Sequence, residues 1–529
     1  MHRRQLLSLA GASIGASLAS PRLGAAQGQR LLRFVPHADL AVVDPVWTTA
    51  YVTRNHAYLV FDTLYGMDAA YNPQPQMVAG HAVEEDGRRW TLTLREGLAF
   101  HDGTPVLARD CVASIRRWGR RDDLGRTLLS ITDELFAPDD RTIAFRLKRP
   151  FPLLPFVLGK TSGLVCAMMP ARIAEGSPDK AFTEVVGSGP FRFRADERVA
   201  GDRVVYERFA AYRPREGAAA SGTAGPKIAH LDRVEWKVIS DASTAASALR
   251  AGEVDWYELP GADILPLLRR GRDIKVETLD PSGYIGSLRL NHLHGPAANR
   301  EVRRAMVAAI SQADVVMASA GTDPALWKAG VGFFCPDTPL ANDAGLSALT
   351  GPRDKAALRG ALQSAGLSGE KLVFMTPSDI QLNNSASEVA ADALRQAGMN
   401  VDLQAMDWGT MLQRRNKKEP ASQGGWHAYV AFNTGSDMLN PAVHPLLRGD
   451  GASGAYGWSE DPAIERLREA WFAAPDLAAQ QAAARQLQEE AFGHVPYIPL
   501  GQVAQLTAYR GDLNGMPRGV PVFWGIRRG

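Results

Sequence analysis

The alternation of apolar and polar positions predicts an early group of strands with a helix between them. Residues 88–95 (RRWTLTLR) and 141–147 (RTIAFRL) alternate apolar and polar side chains, the pattern of a half-buried strand. Between these segments, Cys111, Ile115 and Trp118 recur at helical spacing and form one apolar stripe. The spacing therefore predicts two strands and an intervening helix whose stripe faces a core.

Strands and helices alternate over much of the remaining chain. Residues 232–239 (DRVEWKVI) have the periodicity of a strand, and Asp241 can cap a following helix that ends at Gly252. Further on, helices around 354–365 and 387–396 alternate with the strands KLVFMT and VDLQAM. Helix–strand alternation with short connections predicts α/β units on a mostly parallel sheet.

Length adds an expectation about lobes. The chain has 529 residues, more than one hydrophobic core usually organises, so we expect two or more lobes. Residues 213–227 (RPREGAAASGTAGPK) are rich in Gly, Ala and Ser and predict a flexible surface loop, not a linker between domains.

Charge argues against one class of partner. The chain has 59 Lys and Arg against 57 Asp and Glu, a formal net charge of +2. Residues 1–26 contain arginines and no acidic residue, so the rest of the chain is close to neutral. A near-neutral balance does not favour nucleic-acid binding.

The N-terminus has the three-part pattern of an export signal. Arg3 and Arg4 precede an uncharged stretch over 5–20, and small residues then form a cleavage site near residue 26. The paired arginines and the mild Gly/Ala/Ser-rich stretch favour twin-arginine export, although His2 replaces the usual Ser or Thr and leaves the general route open. We therefore expect a signal peptide over residues 1–26 and a periplasmic protein.

Motifs that carry enzyme chemistry are not found in their structural context. His101 and Asp102 are adjacent, but Asp102 and Gly103 predict a tight turn in which the two side chains do not face one another. Residues 158–163 (LGKTSG) lack the glycine that a phosphate loop requires five positions before Gly159. The sequence therefore predicts no catalytic residue, no cofactor and no enzyme activity.

A weaker pattern concerns a metal site. His292 and His294 would share a face if they lay on a strand, and could then supply two metal ligands. No acidic or cysteine partner follows at a familiar spacing, so we expect no metal site.

Cys111, Cys166 and Cys335 are widely spaced, and whether two of them form a disulfide stays open.

One carboxylate lies in an unusual sequence context. Asp437 is the one charged residue of AFNTGSDMLNP (431–441), and the preceding GGWHAYVAF has the composition of a buried strand. A carboxylate in such a place needs a positive partner. The pattern leaves open whether this partner is a protein side chain or a ligand.

Five segments, in this order, resemble the peptide/nickel/opine family of extracytoplasmic solute-binding proteins of ABC importers (family 5). They are 78–118 (a strand pair, a His-Asp-Gly turn and a helix), 187–193 (GSGPFRF), 231–256, 288–316 and 456–471. Their order and spacing match over essentially the whole chain after the export signal.

The resemblance implies an α/β, two-lobed periplasmic binding protein fold of class II, of the large cluster C type. In such a fold an extra α/β domain lies on the first lobe, and the lobes close on a ligand by hinge motion. The expected parts are lobe I over 27–75, 185–280 and 500–529, the extra domain over 76–184, and lobe II over 281–499.

The resemblance also implies a ligand site. In peptide-binding relatives, an aspartate four residues before a proline receives the α-ammonium group of the ligand, and Asp437 stands four residues before Pro441. Those relatives commonly carry Trp at the position of Thr434, and dipeptide binders place an Arg in the segment matching 382–392, which here contains none. The predicted ligand-binding residues are Asp437, Thr434, Asn433 and Gly435, with Trp408 as an aromatic wall and Trp47 and Thr48 from the other lobe.

Several functions stay open at this point. The leading expectation is a monomeric binding protein that delivers a peptide or peptide-like, amine-bearing solute to the permease subunits of an ABC importer. An alternative with the same fold is a carrier of a metal chelate, haem or opine, for which His292 and His294 would be the discriminating residues. A periplasmic enzyme and a sensor or chaperone are further alternatives.

Overall fold

The computed structural model of the protein describes residues 30–177, 180–217, 219–351 and 353–529. The predicted signal peptide over 1–26 lies outside the described residues. The α-helices are α1 (Tyr51–Val60), α2 (Ala108–Gly119), α3 (Asp123–Ser130), α4 (Leu154–Gly159), α5 (Ala171–Ala174), α6 (Ala242–Ala251), α7 (Leu265–Arg269), α8 (Arg300–Ala309), α9 (Gln312–Ala320), α10 (Ser347–Thr350), α11 (Lys355–Ser364), α12 (Gln381–Gln396), α13 (Trp408–Arg414), α14 (Pro462–Ala473) and α15 (Leu477–His494).

The strands belong to one long sheet and three smaller ones. They are β1 (Leu31–Val35), β2 (Tyr65–Met67), β3 (Pro73–Pro75), β4 (Val78–Glu84), β5 (Arg89–Leu94), β6 (Thr132–Phe136), β7 (Thr142–Leu147), β8 (Phe191–Phe193), β9 (Arg203–Arg208), β10 (Arg233–Lys237), β11 (Trp256–Tyr257), β12 (Ile274–Leu290), β13 (Trp327–Lys328), β14 (Lys371–Pro377), β15 (Asn400–Met406), β16 (Ala428–Thr434), β17 (Tyr497–Arg510), β18 (Leu513–Asn514) and β19 (Arg527–Arg528).

The long sheet runs through both lobes in the order β15-β14-β16-β12-β17-β11-β1-β10-β9-β8, with β13 beside β17. The predicted lobe I contains β1 and β8–β11, and the predicted lobe II contains β14–β16. The antiparallel strands β12 and β17 extend from one lobe into the other, and their register shifts between Thr278 and Asp280 and again before Tyr284. Such irregularities bend a strand pair, and this one lies beside the predicted lobe boundary at 280/281.

The sheet is mixed, whereas the sequence pattern predicts a mostly parallel one. The expected parallel pairing is confirmed for β14 with β15 and β16. The prediction of parallel pairing is wrong for the centre of the sheet. There β12 and β17 run in opposite directions, where the chain leaves lobe I and returns to it. The predicted lobe boundaries at 280/281 and 499/500 fall inside these two strands and stay predictions.

The early strands form a separate four-stranded antiparallel sheet in the order β4-β5-β7-β6. The predicted apolar stripe of α2 is confirmed, since Cys111, Ile115 and Trp118 are fully buried in a core that also contains Leu92 and Phe145. This sheet and α2 lie within the predicted extra domain 76–184, whose bounds stay a prediction.

Local signals for helix ends are confirmed in most places. The Asp241 side chain accepts a hydrogen bond from the Thr244 backbone N–H at 2.7 Å, and Gly252 ends α6 with a left-handed φ of 76°. Helix α12, however, begins at Gln381, six residues before the predicted start. Residues 381–387 are mostly polar, and Ser387 Oγ donates to the Asn383 carbonyl at 2.8 Å, so a polar side chain is satisfied inside the helix.

The predicted surface loop over 213–227 is wrong at its C-terminal end. Lys227 is fully buried, and its Nζ lies 2.7 Å from Asp62 Oδ1. Thr223 is also buried, and its Oγ accepts a hydrogen bond from the Met67 backbone N–H. A Gly- and Ala-rich composition indicates a lack of helix and strand here, but it does not determine exposure.

Two findings concern cysteines and membranes. Cys111, Cys166 and Cys335 are free and buried. Within the described residues, we find no helix whose length and apolar character would let it cross a bilayer.

Candidate functional site between the lobes

Asp437 lies where a central strand of lobe II ends. Strand β16 pairs with β12, and a one-turn 3₁₀ helix, Gly435–Met438, follows it directly. A Cβ on Gly435 would lie 2.6 Å from Cys335 Sγ and closer still to the Ser282 carbonyl oxygen, so a residue without a side chain is needed here. The turn places Asp437 at the end of the sheet, and only 5% of the residue is exposed.

The partner of Asp437 comes from the other lobe. The hydroxyl group of Tyr51, the first residue of α1, donates a hydrogen bond to Asp437 Oδ2 at 2.6 Å. The same hydroxyl accepts a hydrogen bond from the Thr434 backbone N–H at 3.0 Å. Because α1 packs against β8 of lobe I, Tyr51 joins the two lobes at the end of β16.

The carboxylate of Asp437 is only partly satisfied. Its Oδ1 atom is buried and has no hydrogen-bond partner among the described residues. Burial raises the pKa of Asp437 above its ordinary value, and the Tyr51 hydroxyl and the charges of Arg54 and Lys160 oppose this rise. Lys160 is itself paired with Asp122 at 2.8 Å, so it does not neutralise Asp437 directly.

Arg54 is the second charged group of this site. Its guanidinium carbon lies 4.5 Å above the centre of the Tyr51 ring, one helical turn away on α1. Its Nη1 donates to the Thr161 carbonyl at a long distance of 3.4 Å, and its Nε has no partner among the described residues. One tyrosine therefore contacts both charged groups, the carboxylate through its hydroxyl and the guanidinium through its ring.

The other residues predicted near Asp437 contribute in different ways. The Thr434 side chain bonds to Ser436 Oγ at 2.8 Å, and its backbone N–H binds Tyr51. Asn433 is half-buried on β16, in register with Ile285 of β12. Thr434 and Gly435 therefore shape the turn that carries Asp437, and a direct ligand contact of these residues stays a prediction.

The predicted aromatic wall belongs to a different cluster. Trp408 is half-buried at the start of α13 and packs against a core of aromatic and Met side chains in lobe II. This core contains Met375, Met411, Trp426, Tyr429 and Trp458. Ala431, on the same strand as Asn433, also packs against it, so the cluster lies beside β16.

The residues predicted from lobe I lie just before α1. The ring of Trp47 is covered by the guanidinium group of Arg121 at 4.1 Å. Thr48 Oγ accepts a hydrogen bond from the Ala50 backbone N–H at 3.2 Å, at the beginning of α1. These are local contacts, and a role of Trp47 and Thr48 in lining the cleft stays a prediction. The residue before β2 that contacts Asp437 is Tyr51.

The two histidines of the HLHG segment are held apart from each other. His292 lies against the Pro496 carbonyl and stacks on His494, whereas His294 bonds to the Lys418 carbonyl. Within the part of the chain that the structure describes, no three His, Cys, Asp or Glu side chains group as metal ligands.

A Ser-His-Asp arrangement occurs elsewhere in lobe II. Ser459 Oγ lies 3.0 Å from His494 Nε2, and His494 Nδ1 lies 3.1 Å from Asp461 Oδ2. Burial and the charge of Arg303 lower the pKa of His494 to about 4, which makes it a weak base near neutral pH. Asp461 also caps α14 through the Ala463 N–H, so the arrangement has a structural explanation.

Sequence reasoning missed Tyr51 and Arg54. Both lie on one face of α1, at a spacing of three residues, directly after the predicted Trp47 and Thr48. The available signal was Arg54, which is the one Lys, Arg, Asp or Glu residue of α1 (YVTRNHAYLV). Tyr51, Arg54 and Asp437 together can bind charged groups of a small molecule by ion pairs and hydrogen bonds.

Comparison with known proteins shows the family to which the chain belongs. The family model described as bacterial extracellular solute-binding proteins, family 5 middle, matches residues 72–445. A probable peptide ABC transporter periplasmic-binding protein of Sinorhizobium fredii is 34% identical to the chain, over 99% of both proteins.

Two solved structures have a similar fold. A binding protein of A. tumefaciens R10 in complex with agropinic acid superposes with a TM-score of 0.78 and 20% identity, covering 94% of this chain and 99% of the other. A periplasmic binding protein of Helicobacter pylori in complex with the peptide STSA superposes with a TM-score of 0.77 and 22% identity, covering 94% and 98%. At these identities the likeness concerns the two-lobed fold.

Proposed function

The chain belongs to family 5 of the bacterial extracellular solute-binding proteins, and from this premise we propose that it binds a peptide or peptide-like, amine-bearing solute between its two lobes. An extracytoplasmic location follows from the family. The name of the Sinorhizobium relative, as a probable peptide ABC transporter protein, supports the peptide class.

The observation that carries this proposal is the state of Asp437. It is a buried carboxylate with one oxygen bonded to a neutral hydroxyl and one oxygen without a hydrogen-bond partner among the described residues. An ammonium group would supply both the missing charge and the missing donor. Tyr51 bonds to Asp437 from the opposite lobe, so a ligand amine would be enclosed when the lobes close.

Delivery to a membrane partner follows from this binding role. The closed, loaded protein would dock as a monomer on the permease subunits of an ABC importer and release the solute there. Export through residues 1–26, by the twin-arginine route, would bring the protein to the periplasm. In this role the protein binds and releases the solute unchanged and is not an enzyme.

A second candidate with the same fold is an opine carrier. The A. tumefaciens structure with agropinic acid supports it, since that protein has the same two-lobed architecture. A metal chelate or haem is the less favoured alternative, because His292 and His294 bond to separate backbone carbonyls.

Native mass spectrometry of the purified protein tests the proposal. Wild type is incubated with a pool of di- and tripeptides and compared with Asp437→Asn, and we expect the variant to bind about 30-fold or more weakly, since breaking a buried charge pair costs about 2–5 kcal/mol. Asp343→Asn, which changes an exposed aspartate, is the matched control and should bind like wild type. Equal binding by Asp437→Asn would contradict the amine-receptor role, and binding of an opine but of no peptide would favour the second candidate.

A further inference from the structure

Arg54 is a buried cation whose hydrogen-bonding groups are mostly unused. It is 6% exposed, and the one hydrogen bond that it donates among the described residues, to the Thr161 carbonyl, is 3.4 Å long. Nε has no partner, and no carboxylate lies within ion-pair distance of the guanidinium group among the described residues. A guanidinium group carries five N–H donors, so most of its capacity stays free.

Two other buried arginines are satisfied better than Arg54, whereas Arg289, which does not lie beside Asp437, also bonds to a single carbonyl, that of Tyr456. Arg117 pairs with Asp44 at 2.7 Å. Arg303 donates to the carbonyls of Ala297, Ala298 and His494 at 2.8–3.2 Å. A buried charge without a partner is costly, so its retention at a domain interface indicates a partner that is not part of the chain.

Asp437 is not the missing partner of Arg54. The two side chains form no ion pair, since the Tyr51 hydroxyl binds the carboxylate while the Tyr51 ring lies under the guanidinium group. The site therefore holds a negative group at the Tyr51 hydroxyl and a positive group over the Tyr51 ring, and each is incompletely satisfied. A molecule with an ammonium group and an anionic group complements this arrangement at both ends.

We propose that Arg54 binds a carboxylate of the solute, so that the ligand is a zwitterion whose ammonium group pairs with Asp437. This inference rests on the proposed function and specifies its substrate class. A planar guanidinium group fits a carboxylate through two parallel hydrogen bonds. A singly charged carboxylate also balances Arg54 without adding a second negative charge near Asp437.

The proposal gives a physical reason for closure of the lobes. Arg54 lies on α1 of lobe I, and Asp437 lies at the end of β16 in lobe II. A ligand shifts a conformational equilibrium only if it interacts better with one state than with the other. A zwitterion meets both charges only when the lobes are closed. An amine without a carboxylate pairs with Asp437 alone, so it favours the closed state less.

Chemical blocking of each ligand end tests the inference. Three pools of di- and tripeptides are compared by native mass spectrometry of the full chain: free, C-terminally amidated and N-terminally acetylated. We expect wild type to prefer the free pool over the amidated pool by about tenfold or more, because a charge-assisted hydrogen bond is lost. In Arg54→Met this preference should fall to about one, while the preference for a free amino group remains.

Two controls separate this role from general effects on folding. Arg304→Met removes an exposed arginine of α8 that pairs with Glu301, and it should keep the preference for free carboxylates. Arg54→Lys keeps the charge but loses the planar fork, so it should restore part of the preference. The amidated pool on wild type needs no variant, and equal binding of the free and amidated pools there would overturn the inference even if Arg54→Met does not fold.

The outcomes distinguish the two proposals. If wild type binds free and amidated pools equally, Arg54 is not the carboxylate receptor, although the amine site stands. If acetylation has no effect or no pool binds, the proposed peptide-binding function itself fails and the zwitterion fails with it. Retention of the full preference for free carboxylates in a folded Arg54→Met variant would also overturn the inference.

Discussion

The hydroxyl group of Tyr51 lies 2.6 Å from Asp437 Oδ2, although 386 positions separate the two residues in the chain. Tyr51 begins a helix of lobe I, and Asp437 lies in the turn after a strand of lobe II. This hydrogen bond is therefore a direct link between the lobes at the candidate site, and removing it should change both closure and binding.

Tyr51→Phe should favour the open arrangement of the lobes. The variant loses a hydrogen bond to a charged group, worth about 1.5–3 kcal/mol, but keeps the ring beneath Arg54. We expect about tenfold weaker binding of the peptide pool and a larger radius of gyration by small-angle X-ray scattering without ligand. Tyr509→Phe, which removes a similar 2.7 Å bond to Glu277 within lobe I, should change neither quantity. Unchanged closure in Tyr51→Phe would show that this bond does not hold the lobes together.

Asp437→Asn should stabilise the ligand-free protein at neutral pH. Because burial raises the pKa of Asp437 in the folded state, its stabilising contribution is complete below the ordinary pKa and is lost as the pH rises through the raised value. Asparagine does not ionise, so its advantage over aspartate should be present at neutral pH and disappear below about pH 4. Thermal unfolding of both proteins across this range measures the difference. A lower melting temperature of the variant at neutral pH would mean that the charged carboxylate already has a sufficient partner.

Gly435→Ala should disturb the site more than the small volume of the added methyl group suggests. The new Cβ would overlap the Ser282 carbonyl and lie 2.6 Å from Cys335 Sγ, so the turn carrying Asp437 would have to move. Overpacking of this kind costs about 1–3 kcal/mol, and binding of the peptide pool should fall as well. Gly360→Ala is the control, since a Cβ there meets nothing within 4 Å, and in α11 it should stabilise by about 0.5–1 kcal/mol. Urea unfolding measures both variants, and a neutral Gly435→Ala would contradict the tight packing.

Lys227→Met should be strongly destabilising. Lys227 and Asp62 are both buried, and the Tyr212 hydroxyl and the Thr63 N–H also bind this carboxylate. Removing one partner of a buried pair leaves an uncompensated charge and costs about 3–5 kcal/mol.

An exposed ion pair of similar length provides the comparison for Lys227. Arg485 and Asp343 are 2.8 Å apart at the surface, and Arg485→Met should cost at most about 1 kcal/mol. Denaturant unfolding of both variants gives the two values. Similar costs would show that the Lys227 pair is not the buried contact described here.

Much of the local structure could be predicted because it depends on neighbouring residues. The caps of α6 and α14, the strands on either side of α2 and the buried strand before Asp437 follow from short patterns. The start of α12 could not be predicted, because the polar residues at its N-terminal end are satisfied by the helix itself and by the Val430 carbonyl of β16.

The sequence by itself determined the α/β elements, the unusual context of Asp437 and the order of segments that indicates a solute-binding family. Only the tertiary structure decided that Tyr51 meets Asp437, that Arg54 lies beside them with no ion pair among the described residues, and that Lys227 is buried. The physical reason is distance along the chain. Periodicity and capping act over a few residues, whereas the pairing of charged groups in a cleft depends on which remote elements the sheet and the hinge strands bring together.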